Sequence, residues 1–403
     1  MKNKPPVNGL NAERIRRLNL SAVFDHVHRT RGARRSELAL ATGLSRSTIK
    51  ALVEELIARG LVIEHQGRAG GGVGRPSPFV VPRGDAVNVL AIEIAVDAVS
   101  AAIASAGGAM ERVARIPRPA SGVGPRPTVR LVRELVQPLA VEIEARGATL
   151  AAVGVSFYGV VDSRTGVVRF APNLRWRDVP LADLIREALE VRVPVLLGND
   201  ADLGALAEHR RAPGLDNLVF ISGEVGVGGG IISDGRLLRG AAGSGGEVGH
   251  ICVNSNGTAC GCGSNGCWET EIGEVALLRH AGRSDAGNRQ RAVLAVLRDA
   301  EDGDLEALRA VHTVGRWLGL GLAGIVNIFS PEEVVLGGLF ARAYPLLRGI
   351  VEEELGRRVL PPLRKVTVRT ASVADASLLG AAELALDAVL ADPTIVPLRE
   401  EVA

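Results

Sequence analysis

The sequence predicts a mixed α/β fold in which a small helical head precedes a two-lobed body. Three observations predict it. Helical stripes before residue 60 are punctuated by turn signals and followed by short apolar strands. From residue 84 strand-like and helical segments alternate among many glycines, the texture of an α/β body. The stretches 88–108 and 217–235 also repeat one pattern: Asn, apolar strand, turn, second apolar strand, glycine. Such a repeat points to duplicated lobes.

Residues 1 to about 16 are polar and basic and read as a loose arm. Helical periodicity begins near Arg17, where Leu20, Val23, Phe24 and Val27 fall on one face. Ser36 is placed to cap a second helix that carries Leu38 and Ala41 and stops at Thr42-Gly43. Ser45 caps a third. Its buried side is Ile49, Leu52, Val53 and Leu56, which leaves Arg46, Ser47, Lys50 and Ala51 outward, and Gly60 ends it. Leu61, Val62 and Ile63, a glycine-rich tip at 67–74, and Phe79, Val80 and Val81 read as a two-stranded wing. This order is that of a winged helix-turn-helix, assigned to residues 1–83, with the body at 84–403. An Ala- and Leu-rich helix is expected at 376–390, followed by a polar tail after Asp392.

The net charge of +2 conceals an asymmetry. Residues 1–83 hold 15 Lys and Arg against 6 Asp and Glu, whereas the remainder holds 32 against 39. A basic head on a mildly acidic body suits a polyanion partner, because each neutralised phosphate releases counterions. A helix of this kind fits the major groove of double-stranded DNA. The candidate contacts are Ser45, Arg46, Ser47, Thr48 and Lys50, with Arg68 and the run Gly74-Arg75-Pro76 from the wing reaching a minor groove. The plain alternative is a protein-binding three-helix module, which the charge disfavours. The apolar run at 317–326 is about half of the ~20 residues a membrane span needs, and no apolar stretch follows the basic start, so the expected place is the cytoplasm.

Four cysteines are too few for a disulfide-built scaffold of this size. Three of them form Cys260-Gly261-Cys262 and Cys267, downstream of His250. Three thiolates and one imidazole fill a tetrahedral zinc shell, and with no open position the ion would be structural. The plain alternative is a redox pair with a bystander. Cys252, two residues after His250 on an expected strand, reads as a buried small hydrophobe.

With these motifs in order, the chain resembles the ROK family of repressors and sugar kinases, specifically its branch with a winged-helix head. The carriers are the head itself, Ala171-Pro172-Asn173-Leu174, Gly198-Asn199-Asp200-Ala201, Gly226-Val227-Gly228-Gly229-Gly230, Glu247-Val248-Gly249-His250 and the cysteine cluster ending in Glu269. The resemblance implies an actin-like or hexokinase-like (ribonuclease H-like) body. It places the lobe boundary near residue 200 and returns the C-terminal helix to the first lobe. It further implies zinc on His250, Cys260, Cys262 and Cys267, and a sugar held by Asn173, Asn199, Asp200, Glu247, His250 and Glu269. Amides and carboxylates suit hydroxyls that both donate and accept. Taken from the residues alone, Asn199 or Asp200 could instead cap the following helix, and Glu269 could be a cap or solvated.

Asp200 also stands where kinases of the family keep their general base, so its presence does not separate sensor from enzyme. The phosphate hairpin does. Kinases carry Asp-x-Gly-Gly-Thr there, and this chain has Glu93-Ile94-Ala95-Val96-Asp97, with both glycines lost and a carboxylate in place of the hydroxyl. Glu224 adds negative charge beside the second hairpin, while Leu336-Gly337-Gly338-Leu339 keeps the adenine turn. The expectation is a transcription regulator, a repressor of carbohydrate genes, that binds a sugar without phosphorylating it. The runner-up is an active ATP-dependent sugar kinase that also binds DNA, and a third class is a DNA-tethered scaffold. A two-fold regulator implies a palindromic operator and a homodimer or dimer of dimers.

Overall fold

A computed structural model describes residues 11–65, 77–119, 123–224, 226–240, 243, 245–284 and 288–398. The head comprises α1 (Ala12–Thr30), β1 (Ala33–Arg34), α2 (Arg35–Thr42), α3 (Arg46–Ala58), β2 (Val62–His65) and β3 (Phe79–Pro82). Three corrections arise here. α1 starts at Ala12, capped by Asn11, whose Oδ1 accepts the Arg14 N–H at 2.8 Å. Ile15 and Leu18 are exposed, so the first turns lack the apolar stripe that marks the rest. Ser36 lies inside α2 instead of capping it. The N-cap is Arg34, whose N–H is accepted by Glu37 at 2.7 Å. The wing sheet has a third strand, in the order β1-β3-β2, because two residues before α2 pair with β3. The Gly43 stop at φ 69° and the Ser45 cap, which accepts the Thr48 N–H at 3.2 Å, are as expected.

The first lobe holds β4 (Val87–Ile94), β5 (Ala98–Ser105), β6 (Ala109–Pro117), α4 (Pro125–Ala145), β7 (Thr149–Phe157), β8 (Val160–Asp162), β9 (Val167–Ala171), β10 (Trp176–Val179), α5 (Leu181–Leu189), β11 (Val195–Asn199) and α6 (Asp200–Arg211). The second holds β12 (Leu218–Gly223), β13 (Val227–Ser233), β14 (Arg236–Leu237), α7 (Trp268–Ile272), α8 (Glu274–His280), α9 (Arg289–Glu301), α10 (Leu305–Phe329), β15 (Glu333–Gly337), α11 (Gly338–Arg358) and β16 (Thr367–Thr370). α12 (Ala376–Ala391) is the last α-helix among the described residues.

The repeat seen in the sequence is a repeat of topology. One five-stranded sheet runs β6-β5-β4-β7-β11 and the other β14-β13-β12-β15-β16. In each, three antiparallel strands are followed by two added in parallel. This is the ribonuclease H-like order expected of an actin-like body, and the two hairpins singled out from the sequence, β4–β5 and β12–β13, open the two halves.

Two helices lie between the sheets. α12 presses so closely on β7 that a Cβ on Gly154 would sit 1.9 Å from the Ala381 carbonyl, while Gly204 of α6 leaves room for the Phe220 ring of β12. α6 and α12 meet through Gly380, whose bare Cα faces the Leu203 carbonyl. The head does not hang on a linker. Leu20, Phe24, Leu38 and Leu56 share one apolar core with Val89, Leu203, Leu378 and Leu386. The expected polar tail is tied down as well: Val396 is buried and its carbonyl accepts from Arg59 Nη1 at 2.6 Å.

Candidate functional site

The first parallel strands of each lobe end at one cleft, the position at which open α/β sheets place ligands. β11 delivers Asn199 and α6 delivers Asp200. The capping alternative holds for Asn199: its Oδ1 accepts the N–H groups of Ala201 (2.9 Å) and Asp202 (3.2 Å), and its Nδ2 donates to the Gly159 carbonyl (3.0 Å) and to Asp200 Oδ1 (3.1 Å). With both ends of the amide engaged, Asn199 fixes Asp200 in place. Asp200 is pushed well above the usual carboxylate range by the desolvating cleft walls and then by Glu224.

A residue the sequence reading missed organises the floor. The Tyr158 hydroxyl lies 3.1 Å from Glu93 Oε1 and 3.0 Å from Glu224 Oε2, so one proton serves two carboxyls that belong to opposite lobes. Ser377, at the start of α12, also donates to Glu93. Desolvation and Glu93 push Glu224 upward, although its side chain opens to the cleft. Tyr158 was legible only by position, as a polar ring one residue beyond the β7 C-terminus.

The hairpin tip 95–97 carries side chains in place of glycines, and Arg118 donates to the Val96 carbonyl at 2.8 Å.

His250, Cys260, Cys262 and Cys267 bring one ligand atom each within 4.8 Å of one another. Cys262 and Cys267 sulfurs are 3.6 Å apart, and Cys260 Sγ is 3.7 Å from His250 Nδ1. Ligands ~2.3 Å from a tetrahedral ion stand roughly 3.8 Å apart, so the set could hold a metal. Burial pushes the Cys260 thiol up to about 12 and raises Cys267, whereas the Ser264 amide lowers Cys262. A central dication is what would hold all three as thiolates.

Cys252 corrects an expectation. It is exposed, and its backbone pairs antiparallel with that of Cys267 at a single position instead of lying in a strand, both thiols being free.

Glu269, in the first turn of α7, joins metal cluster and cleft. Its Oε2 accepts the Val227 N–H at 3.1 Å, its Oε1 lies 3.6 Å from Cys260 Sγ, and Gly226 has to lack a side chain for it to fit. Glu247 is exposed just before the turn that carries His250. Asn173 stands in an exposed turn, Pro172–Leu174, and makes no hydrogen bond to the other five expected contacts.

Asp202 was not singled out from the sequence. It is buried, its Oδ1 has no partner, and burial with the nearby Glu247 raises it to about 8. A carboxyl raised on folding contributes stability that is fully present below its unfolded value and is lost as pH rises through about 8. Replacing Asp202 with Asn should therefore flatten the fall in stability between pH 5 and 8, gaining a few kcal/mol at most at the alkaline end. Urea titrations across that range check it.

On the head, Ser45, Arg46, Ser47 and Lys50 are exposed and Thr48 half-buried. Ser45 Oγ sits 2.9 Å from Ser47 Oγ and 2.8 Å from Thr48 Oγ1, a hydroxyl cluster at the leading end of α3. Arg68 and Arg75 lie outside the described residues.

Fold and site together define a two-lobed, ribonuclease H-like body with a polar cleft, a Cys3His cluster beside it and a winged helix-turn-helix head. The chain belongs to the ROK family, which matches residues 89–388. It is similar to the xylose repressor of Bacillus subtilis (strain 168), 28% identical over 352 residues, 87% of this chain and 89% of that protein. The glucokinase of Streptomyces coelicolor is 34% identical over 260 residues, 59% of this chain and 77% of that enzyme.

Among solved structures, a ROK family transcriptional regulator, homolog of the E. coli MLC protein, aligns with a TM-score of 0.77 over 94% of this chain and 98% of its own, at 24% identity. A ROK family glucokinase from Streptomyces griseus in complex with glucose and AMPPNP aligns with a TM-score of 0.63 over 74% of this chain and 99% of its own, at 28% identity. Among the described residues no helix is long and apolar enough to cross a membrane.

Proposed function

We propose that this protein is a transcription regulator of sugar genes that binds operator DNA through α3 and the wing, and binds a sugar in the cleft without phosphorylating it. The observation that carries this reading is the continuity between the two ends. α6 and α12 start at the cleft with Asp200 and Ser377 and finish against the head, where Arg210 meets Asp25 of α1 at 3.2 Å and also binds Asp387. A sugar that changes the lobe angle moves both helices, and in a two-fold dimer the spacing of the heads with them. The relatives named as xylose repressors support the regulatory reading over about nine-tenths of their length.

Asp200, Glu247, His250 and Glu269 are the sugar contacts in this reading, with Asn173 brought in from the rim and Asn199 acting by holding Asp200 in place. Zinc on the Cys3His set holds the loop that presents His250 and Glu269. A second reading, an ATP-dependent sugar kinase, draws on the retained Asp200 and on the Gly337-Gly338 turn, Gly338 having φ 55°. The obstructed first hairpin and the Glu93–Tyr158–Glu224 contact weigh against it.

The test is fluorescence anisotropy of palindromic DNA from upstream of the protein's own gene, repeated across a panel of sugars. A sugar-dependent shift of the midpoint is expected. No shift with any sugar removes the sensor half of the proposal. Arg46→Ala should weaken operator binding by about 1–3 kcal/mol, with a smaller effect on random DNA if Arg46 meets a base edge. An unchanged midpoint would place α3 away from the groove.

A further inference from the structure

Buried carboxyls in this chain come with a cation. Asp162 has Arg169 at 3.0 Å, Glu208 has Arg369 at 2.8 Å, Glu271 has Arg279 at 3.6 Å, Glu354 has Arg358 at 2.6 Å and Glu383 has His28 at 2.9 Å. The cleft is the exception. Among the described residues, Glu93, Asp200, Asp202, Glu224, Glu247 and Glu269 have no Lys, Arg or His nitrogen within 4.0 Å. Arg342 and Arg239 act on Glu224 and Asp202 only from a greater distance.

Two buried polar atoms beside this charge lack partners. Asp202 Oδ1, on a residue 5% exposed, faces Gly246 next to Glu247. Ser156 Oγ, on a residue 0% exposed, lies in strand register with Glu93 on β4 and Gly198 on β11, at the cleft end of the sheet.

We propose that the missing cation belongs to the ligand: the effector is a sugar bearing a protonated amine, whose ammonium is received by Glu93, Asp200 and Glu224. This rests on the reading of the cleft as the sugar site. An ammonium offers three donors and accepts none, which matches carboxyls whose side-chain donors among the described residues are Tyr158, Ser377 and Asn199. A phosphorylated sugar meets only repulsion there. Glu93 and Glu224 approach from different lobes, so a cation between them draws the lobes together and displaces protons that burial and mutual repulsion keep on Asp200 and Glu224, while Tyr158 keeps its own.

Titration calorimetry on the full chain tests this with amino sugars differing in the ring carbon that bears the amine, their N-acetyl counterparts, the unsubstituted sugars and sugar phosphates. An amino sugar should bind about tenfold or more tighter than its neutral counterpart, the gain of one well-formed charge contact. Binding should release protons, seen as a dependence of the heat on buffer ionisation. The preference should shrink in Glu93→Gln and Glu224→Gln, and the wild-type comparison stands if either variant fails to fold. Neutral sugars binding as tightly as amino sugars, or sugar phosphates binding best, would overturn the proposal and leave the sugar sensor standing. Failure of every sugar to bind would overturn both.

Discussion

Replacing Cys267 with Ser is expected to abolish metal binding by the Cys3His set, unfold the segment between Ile251 and Cys267, and abolish sugar binding while the lobes stay folded. That segment has few apolar groups to hold it, since most of its residues are exposed. Structural zinc sites contribute on the order of 10 kcal/mol to folding where no other core exists, so local loss is expected to be complete. Cys267 is buried and occupies the N-cap position of α7. The next residue, Trp268, is fully buried, donates to the Trp317 carbonyl at 2.8 Å and fills the space left by Gly321. Loss of the metal frees the loop up to this anchor. Glu269, one residue beyond it, then no longer holds the Val227 N–H in place. Zinc content, melting temperature and sugar affinity measured together check the outcome. A zinc-free variant that still binds sugar would make the cluster irrelevant to the cleft.

Glu383→Ala carries the second large effect. His28 Nε2 and Glu383 Oε2 are 2.9 Å apart at 2% and 4% side-chain exposure, between α1 of the head and α12. His28 Nδ1 accepts the Gly107 N–H at 2.9 Å, which leaves the ring proton on Nε2 for Glu383. Three pieces of chain from head, sheet turn and C-terminal helix thus meet at one imidazole. Removing Glu383 leaves the buried Nε2–H of a neutral imidazole without its acceptor, at a cost of about 1–3 kcal/mol. The variant should lose that much in urea, and the effect of sugar on its operator binding should shrink, because one of the contacts that tie α12 to the head is gone. A loss below about 1 kcal/mol would mean that the pair holds nothing together.

Much of this was legible in the sequence where a local rule decides the outcome. Gly43 and Ser45 mark helix boundaries because positive φ and capping are properties of one residue and its neighbours. The cysteine cluster was legible for the same reason, its ligand spacing being nearly contiguous. Even the duplication showed through, since each lobe opens with the same hairpin.

What was not legible depends on residues far apart in the chain. Tyr158 acquires its role from Glu93 and Glu224, more than 60 positions away on either side. His28 meets Glu383 across 355 positions. Cys252 was read as a buried apolar group from residue type alone, but the loop's hydrogen bonds hold it outward. The start of α1 was missed because Asn11 sets it and not an apolar stripe.

The central claim is recognition of a sugar without its phosphorylation. The most direct measurement follows ADP formation by the pure, zinc-loaded protein with ATP and magnesium, for each sugar that shifts DNA binding. The account predicts no sugar-dependent ADP above background. Sustained turnover with such a sugar, lost in Asp200→Asn, would contradict it.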